Sequence, residues 1–452
     1  MSRAIDKLTD HITSLRLKSV PGEVVDKTKA VIIDTIGVIL GARKYPHLAG
    51  NVMAEFIRSQ GGVPQASVLG SDLMTTAINA AFVNGTLSHD IELDDNHNAG
   101  TLHTGAVVVP AALAVAEMEG ASGRELMTAV LLAYDVECRI SMALTSTRQY
   151  QRSFHPSSVC GTFGAMTAAG RLMGLDKPQL TNAFGLAGCQ ASGLQAWATE
   201  MEHFTKSFQT GIAARNGVTA AILARDGYQG PPDILEGRHN VFDAFSGVRN
   251  FQELTRGLGE EYEIMMTSLK QYSACRFLHA PLDALLDILA ANDLEVDNID
   301  TITAEVCEYG KPQIDRNELI THNAQYVLAA AAYRRRLGMD EYSTECRNDP
   351  RIRDLASRVY VEGNSELEQL YPERWAAIVH VKMKDGREFS KRVDFAKGDP
   401  QNPMTWEEVV SKFVSLAGPV ISEAKAEAVV ELVSGLETLD DTRELVKLLR
   451  LG

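Results

Sequence analysis

Between His89 and His103 the chain packs four acids and three histidines into 15 residues: His89-Asp90-Ile91-Glu92-Leu93-Asp94-Asp95-Asn96-His97-Asn98, then His103. Carboxylates held this close raise one another's pKa, which proton transfer near neutrality requires. A helix continuing to about residue 93 would put Asp90 and Asp94 one turn apart on one face, with Glu92 and Asp95 pointing elsewhere. Any one of these acids could simply cap a helix or face water, so it is the cluster that indicates a site. Two histidines share a local design. His103 precedes Thr104-Gly105 and an apolar helix, and His155 precedes Pro156-Ser157-Ser158 and another. Ser, Thr or Pro before an apolar run starts a helix, so each imidazole is predicted to stand at a helix N-terminus. Backbone N–H groups there bind carboxylates and favour the neutral ring, which can act as a base. Lys206 lies just ahead of a small-residue helix, and Lys270 opens Leu269-Lys270-Gln271-Tyr272-Ser273-Ala274-Cys275-Arg276, where two inferred domains meet. The chain has no GxGxxG after a strand, P-loop, GxSxG or HExxH, which argues against nucleotide cofactors, serine hydrolysis and zincin chemistry.

The elements that must position these groups follow from periodicity. Helical patterns cover 24–40, 76–87, 106–118, 124–141, 158–173, 177–193 and 211–226, rich in Ala and Gly. Only 6% of the residues are aromatic, so these helices must pack backbone close to backbone. From about 270 the period changes. Ile302, Ala304 and Val306 alternate with Thr303, Glu305 and Cys307, and the same pattern recurs around Val359 and Val361 and along 377–383. Asp385-Gly386 then turns the chain into 388–395. Helices at 281–291, 323–337 and 349–357 lie between these strands. After Pro400 and Pro403 helices return at 406–417 and 419–436. The fold class is therefore mainly α: a helical domain built from 1–268 and 398–452, with an inserted α+β lid at 269–397.

The 452 residues are 45% hydrophobic and carry a formal charge of −15, which argues against nonspecific nucleic-acid binding but not against a small anionic substrate. No apolar run approaches the ~20 residues that span a bilayer, and the N-terminus lacks the features of a secretory signal. Six scattered cysteines without a CxxC pair suggest reduced, buried thiols and a cytoplasmic protein.

The segments AFVNGTLSHDIELDDNH, HTGAVVVPAALAVAE, FHPSSVCGTFGAMTAAGRLMGL, TKSFQTGIAARNGVTAAILARDG and LKQYSACRFLHAPLDAL together resemble the 2-methylcitrate dehydratase / cis-aconitate decarboxylase family (MmgE/PrpD). The likeness runs over nearly the whole chain with its segments in order. It implies a homodimer with the two-domain organisation above, a small-molecule polycarboxylate as substrate, and no metal or organic cofactor. By motif position the family's catalytic residues fall on Glu92, His103, His155, Lys206, Lys270 and Tyr326. Asp94, Asp95, Asn96, Gln209 and Arg276 are expected at the substrate. Departures occur at Glu92 (usually Asp), Asn96 (often Thr or Ser), Thr104 (Pro) and Gln209 (often His). The chain looks more like the family's shorter members, which include an iminodisuccinate epimerase.

The chemistry shared by such enzymes is a carbanion beside a carboxylate. His155 or Glu92 is expected as the base and His103 or Tyr326 as the proton donor, with Lys206, Lys270 and the two helix N-termini on the carboxylates. Hydro-lyase chemistry is the leading expectation, with epimerisation and decarboxylation as alternatives. Two rivals are a metal-dependent phosphohydrolase built on His89-Asp90 with His97 and His103, and a non-enzymatic helical scaffold.

Overall fold

The computed structural model describes residues 3–201 and 204–451. The molecule is mainly α. No helix among the described residues is long and apolar enough to cross a membrane.

The Ala- and Gly-rich helices lie where periodicity places them, with ends that shift by a few residues. Gly22–Arg43, Ala77–Leu87, Thr104–Glu119, Gly123–Leu144, Pro156–Leu172, Lys177–Gln190 and Thr205–Arg225 make up most of the first half. The last of these begins six residues before the expected start, so Lys206 lies in its first turn rather than ahead of it. Thr205–Arg225 packs between Ala77–Leu87 and Pro156–Leu172, and small residues set the spacing. A Cβ on Gly217 would meet Met166 N and Ala165 Cβ at 2.5 Å, and one on Gly211 would meet Phe82 O at the same distance. Backbone cannot yield as a side chain would. Gly217→Ala should therefore lower the unfolding free energy by about 1–3 kcal/mol, despite alanine's better helix propensity, as urea titration would read.

Buried apolar residues form three large clusters. Two belong to the helices. One of these joins Val31, Ile32 and Ile36 to Phe413, Val429 and Leu445, so residues from both chain ends share a core. The other gathers Val107, Val159, Phe163 and Val218. The third unites Leu282, Leu285, Ile302, Ala304, Val327, Val359 and Val381. It belongs to a four-stranded sheet ordered Val359–Asn364, Ile299–Cys307, Ala377–Met383 and Glu388–Val393. The first pair is parallel and the other two are antiparallel. The alternation read from Ile302 matches the buried positions of the strand as far as Val306, while Cys307, expected on the other face, is buried as well, and helices His279–Ala291 and Ala324–Arg334 pack on the sheet.

Two expected boundaries move. The helix Trp406–Ile421 continues through Pro419 and breaks at Ser422, where φ is 81°, because a proline in a last turn loses one backbone bond yet keeps a helical φ. The helix Ala77–Leu87 stops at Leu87 rather than near residue 93. Beyond it Ser88 to Asp95 run as a loop, with Glu92 at a φ of 50°, so Asp90 and Asp94 do not share a helix face.

Candidate active site

That loop is buried throughout, with His89, Asp90, Glu92, Asp94 and Asp95 all at most 2% exposed. Capping explains two of the acids. Asp90 accepts the Gly50 N–H at 2.7 Å, at the start of helix Ala49–Gln60. Asp95 accepts the Gly105 N–H at 2.8 Å, at the start of Thr104–Glu119, and the Tyr134 hydroxyl. A further tie comes from Pro110, which leaves Ala106 O without its helical partner. The Ser88 hydroxyl donates to that carbonyl at 2.7 Å and fastens the loop to the helix.

Burial pushes the Asp90 and Asp95 carboxyls up to about 7. A carboxyl whose folded pKa lies above its unfolded value of ~4 gives stability that is complete below pH ~4 and lost as pH rises through 7, by at most ~1.4 kcal/mol per pH unit. Asp90→Asn removes one such group, so its melting temperature should rise relative to wild type between pH 4 and 7 and run parallel above. Thermal melts across that range check this.

The remaining acids bind cations. Glu92 Oε1 pairs with Lys206 Nζ, and Oε2 lies 3.1 Å from Lys270 Nζ. His322 Nε2 stands 3.4 Å from Oε1. Asp94 sits between two imidazoles, with His89 Nδ1 at 2.8 Å from Oδ1 and His103 Nδ1 at 2.9 Å from Oδ2, while Lys270 Nζ is 3.9 Å away. Burial alone would raise the Asp94 carboxyl, but these three partners hold it well below the ordinary range. Burial likewise opposes charge on Lys270, and Glu92 and Asp94 outweigh it and raise the amine. His89, Asp94 and His103 are the described residues whose donor atoms lie close enough together to hold a metal ion. Asp90 and His97, the other ligands of the phosphohydrolase reading, point instead to Gly50 and Glu263.

His103 and His155 both occupy the residue before a helix, as read from the sequence. The two helix starts meet, the His103 N–H donating to Ser157 Oγ at 3.1 Å. Both rings are driven toward neutrality, but burial rather than the helix terminus is the main cause. Burial, then Lys206, lowers His155 to about 3. Burial outweighs Asp94 at His103. The tautomer of His155 follows from its partner. Gln209 Nε2 donates to Leu194 O at 2.8 Å, so its Oε1 accepts from His155 Nδ1 at 2.9 Å. The lone pair is then on Nε2, a buried atom with no partner among the described residues. Gln209 thus orients the His155 ring and is not among the residues that line the cavity described below.

A cavity of about 60 Å³ opens above Glu92 between helices and sheet. Glu92, Asn96, His103, Trp197, Lys206, Cys275, Arg276 and His322 line it, with Tyr150, Tyr309 and Trp375 among the aromatic walls. The structure brings together Glu92, His103, Lys206, Asn96 and Arg276 at this surface, with Lys270 directly behind Glu92. Asp94 and Asp95 stand behind it too, engaged as described. Tyr326 lies apart, its hydroxyl donating to Glu341 O at 2.5 Å and its ring beside Tyr342.

The sequence reading passed over His322, Cys275 and Trp197. His322 had a legible signal: it stands just before Asn323, whose side chain caps Ala324–Arg334, one residue further from its helix than His103 and His155 are from theirs. Burial opposes charge on its ring, but Cys275 and Glu92 outweigh it and raise it to about 9. Trp197 borders three of these groups, with Lys206 Nζ 4.9 Å from its ring and the rings of neutral His155 and cationic His322 at 5.5 and 5.9 Å. Five cysteines are buried, and Cys189 is exposed, contrary to the expectation for all six.

A family model described as the MmgE/PrpD N-terminal domain matches residues 6–254, and one described as the MmgE/PrpD C-terminal domain matches residues 272–438. Curated relatives include a cis-aconitate decarboxylase-like protein of Aspergillus oryzae, 27% identical over 98% of this chain and 96% of its own. The human cis-aconitate decarboxylase is 27% identical over 97% and 93%. The 2-methylcitrate dehydratase of Cupriavidus necator is 24% identical over 78% and 75%.

Proposed function

Since this chain belongs to the MmgE/PrpD family, we propose that it is a cofactor-independent lyase, of the hydro-lyase type, acting on a small di- or tricarboxylate through a carbanion beside a carboxylate. The observation that carries this reading is a cavity whose lining presents Lys206, Arg276 and cationic His322 against the single carboxylate of Glu92, with the neutral, buried ring of His155 5.5 Å from that of the lining residue Trp197.

An α-proton beside a carboxylate is very weakly acidic, so the dominant requirement is stabilisation of the charge that develops on the carboxylate oxygens. Lys206 and His322 supply it where water is largely excluded. Glu92 holds these two groups and Lys270 in place and keeps the cluster from being a bare concentration of positive charge. His155 Nε2 accepts the proton. The acid for the leaving hydroxyl is His322, whose cationic ring lines the cavity. Tyr326, placed elsewhere, has no part in this scheme. The extended likeness to cis-aconitate decarboxylases favours decarboxylation as the second reading, since loss of CO₂ leaves the same carbanion to be protonated.

Incubation with 2-methylcitrate, citrate, cis-aconitate and iminodisuccinate, followed by proton NMR, tests the proposal. Loss of water from a hydroxy acid is expected. CO₂ release would select the second reading, inversion without net loss would mark an epimerase, and inertness toward every polycarboxylate would refute all three.

A further inference from the structure

Cys275 lines the cavity at 8% exposure, together with His322. Its own N–H donates to Thr321 O at 3.0 Å, which pins the thiol beside that ring. The next residue, Arg276, is also in the lining and is 4% exposed. Its Nη2 is held by Asp399, while Nε and Nη1 are buried with no partner among the described residues. Two guanidinium donors left over in a cavity wall suit a carboxylate, and one bound there would lie next to the sulfur.

We propose that Cys275 is a covalent modification site whose thiol adds to α,β-unsaturated polycarboxylates, the class of molecule that elimination in this cavity releases. The inference rests on the proposed function for the identity of that electrophile. In the addition the sulfur lone pair forms a bond to the β-carbon, and the π pair moves onto the α-carbon and its carboxylate. The thiol's proton, passed through His322, then closes the α-carbon. One S–C and one C–H bond form, one S–H and one C=C π bond are lost, and no oxidant or reductant is needed. The enzyme would thereby carry a brake that engages as product accumulates.

The rest of the chain supports the assignment. Burial pushes the Cys138, Cys160 and Cys307 thiols up, away from the reactive thiolate, whereas at Cys275 the pull of His322 overcomes burial and lowers it. Exposed Cys189 is absent from the lining and provides an internal reference.

The full-length protein should be treated separately with iodoacetate, iodoacetamide, maleate and fumarate, and each cysteine read by peptide mass spectrometry. Cationic neighbours should draw in the anionic reagent, so the iodoacetate-to-iodoacetamide rate ratio should be about tenfold or more higher at Cys275 than at Cys189. The unsaturated acids should leave an adduct of one whole acid at Cys275, prevented by saturated tricarballylate. Equal ratios at the two cysteines, or no adduct at Cys275, would overturn the proposal. A melting shift with tricarballylate separates the two readings. A shift without modification defeats the thiol proposal alone, and absence of both defeats the polycarboxylate site as well.

Discussion

His155→Ala is expected to lower kcat by roughly 10²–10⁴-fold, the usual contribution of a positioned general base, while the protein remains folded. The ring is buried with Nδ1 committed to Gln209 and Nε2 unpartnered among the described residues. A histidine serving only structure would normally use both nitrogens, since an unpaired buried polar atom costs about 1–3 kcal/mol. A bare Nε2 is what the proposed base role requires. KM should change little, because the carboxylates are held elsewhere, by Lys206, Arg276 and His322. Initial rates at saturating substrate check the prediction, with circular-dichroism melts to confirm folding. Turnover near wild type would remove His155 from the base role.

Lys206→Met is expected to reduce kcat by roughly 10²–10³-fold, the scale for deleting one preorganised group that meets developing negative charge. The amine is paired with Glu92 and stands 4.9 Å from the Trp197 ring, so its position is fixed before substrate arrives and nothing need reorganise as charge forms. Methionine keeps most of the volume and removes the charge. Stability should fall as well, because Glu92, 0% exposed, loses one of its cations. Pairing the change with Glu92→Gln distinguishes the two effects: the double variant should recover melting temperature without recovering turnover. Recovery of both would mean that Lys206 acts only as a structural partner of Glu92.

Much of this site was legible because its signals are local. A histidine followed by a helix-start pattern identifies itself within a few residues, which is why His103 and His155 could be placed from sequence, and the alternation around Ile302 marked a strand without reference to its neighbours. What failed to show depends on distant partners. Asp94 and Asp95 differ by one position, yet one pairs with two imidazoles and the other caps a helix. That difference is set by where Tyr134 and His103 arrive. Just past the helix end at Leu87, the Ser88 hydroxyl answers the carbonyl that Pro110, 22 residues on, leaves open. His322 showed the helix-start signal, but its role comes from Glu92, 230 residues away in sequence. Tyr326 was expected from motif position alone, and in the fold its hydroxyl is taken up by Glu341.

The central claim is that this cavity sustains a carbanion beside a carboxylate, and hydrogen isotope exchange in D₂O tests it most directly. The account predicts that wild-type protein introduces solvent deuterium at the carbon adjacent to a carboxylate of a polycarboxylate that it turns over, and that His155→Ala loses this exchange along with turnover. Turnover of that acid carried to equilibrium in both directions with no deuterium at that carbon, in product or recovered substrate, would contradict it.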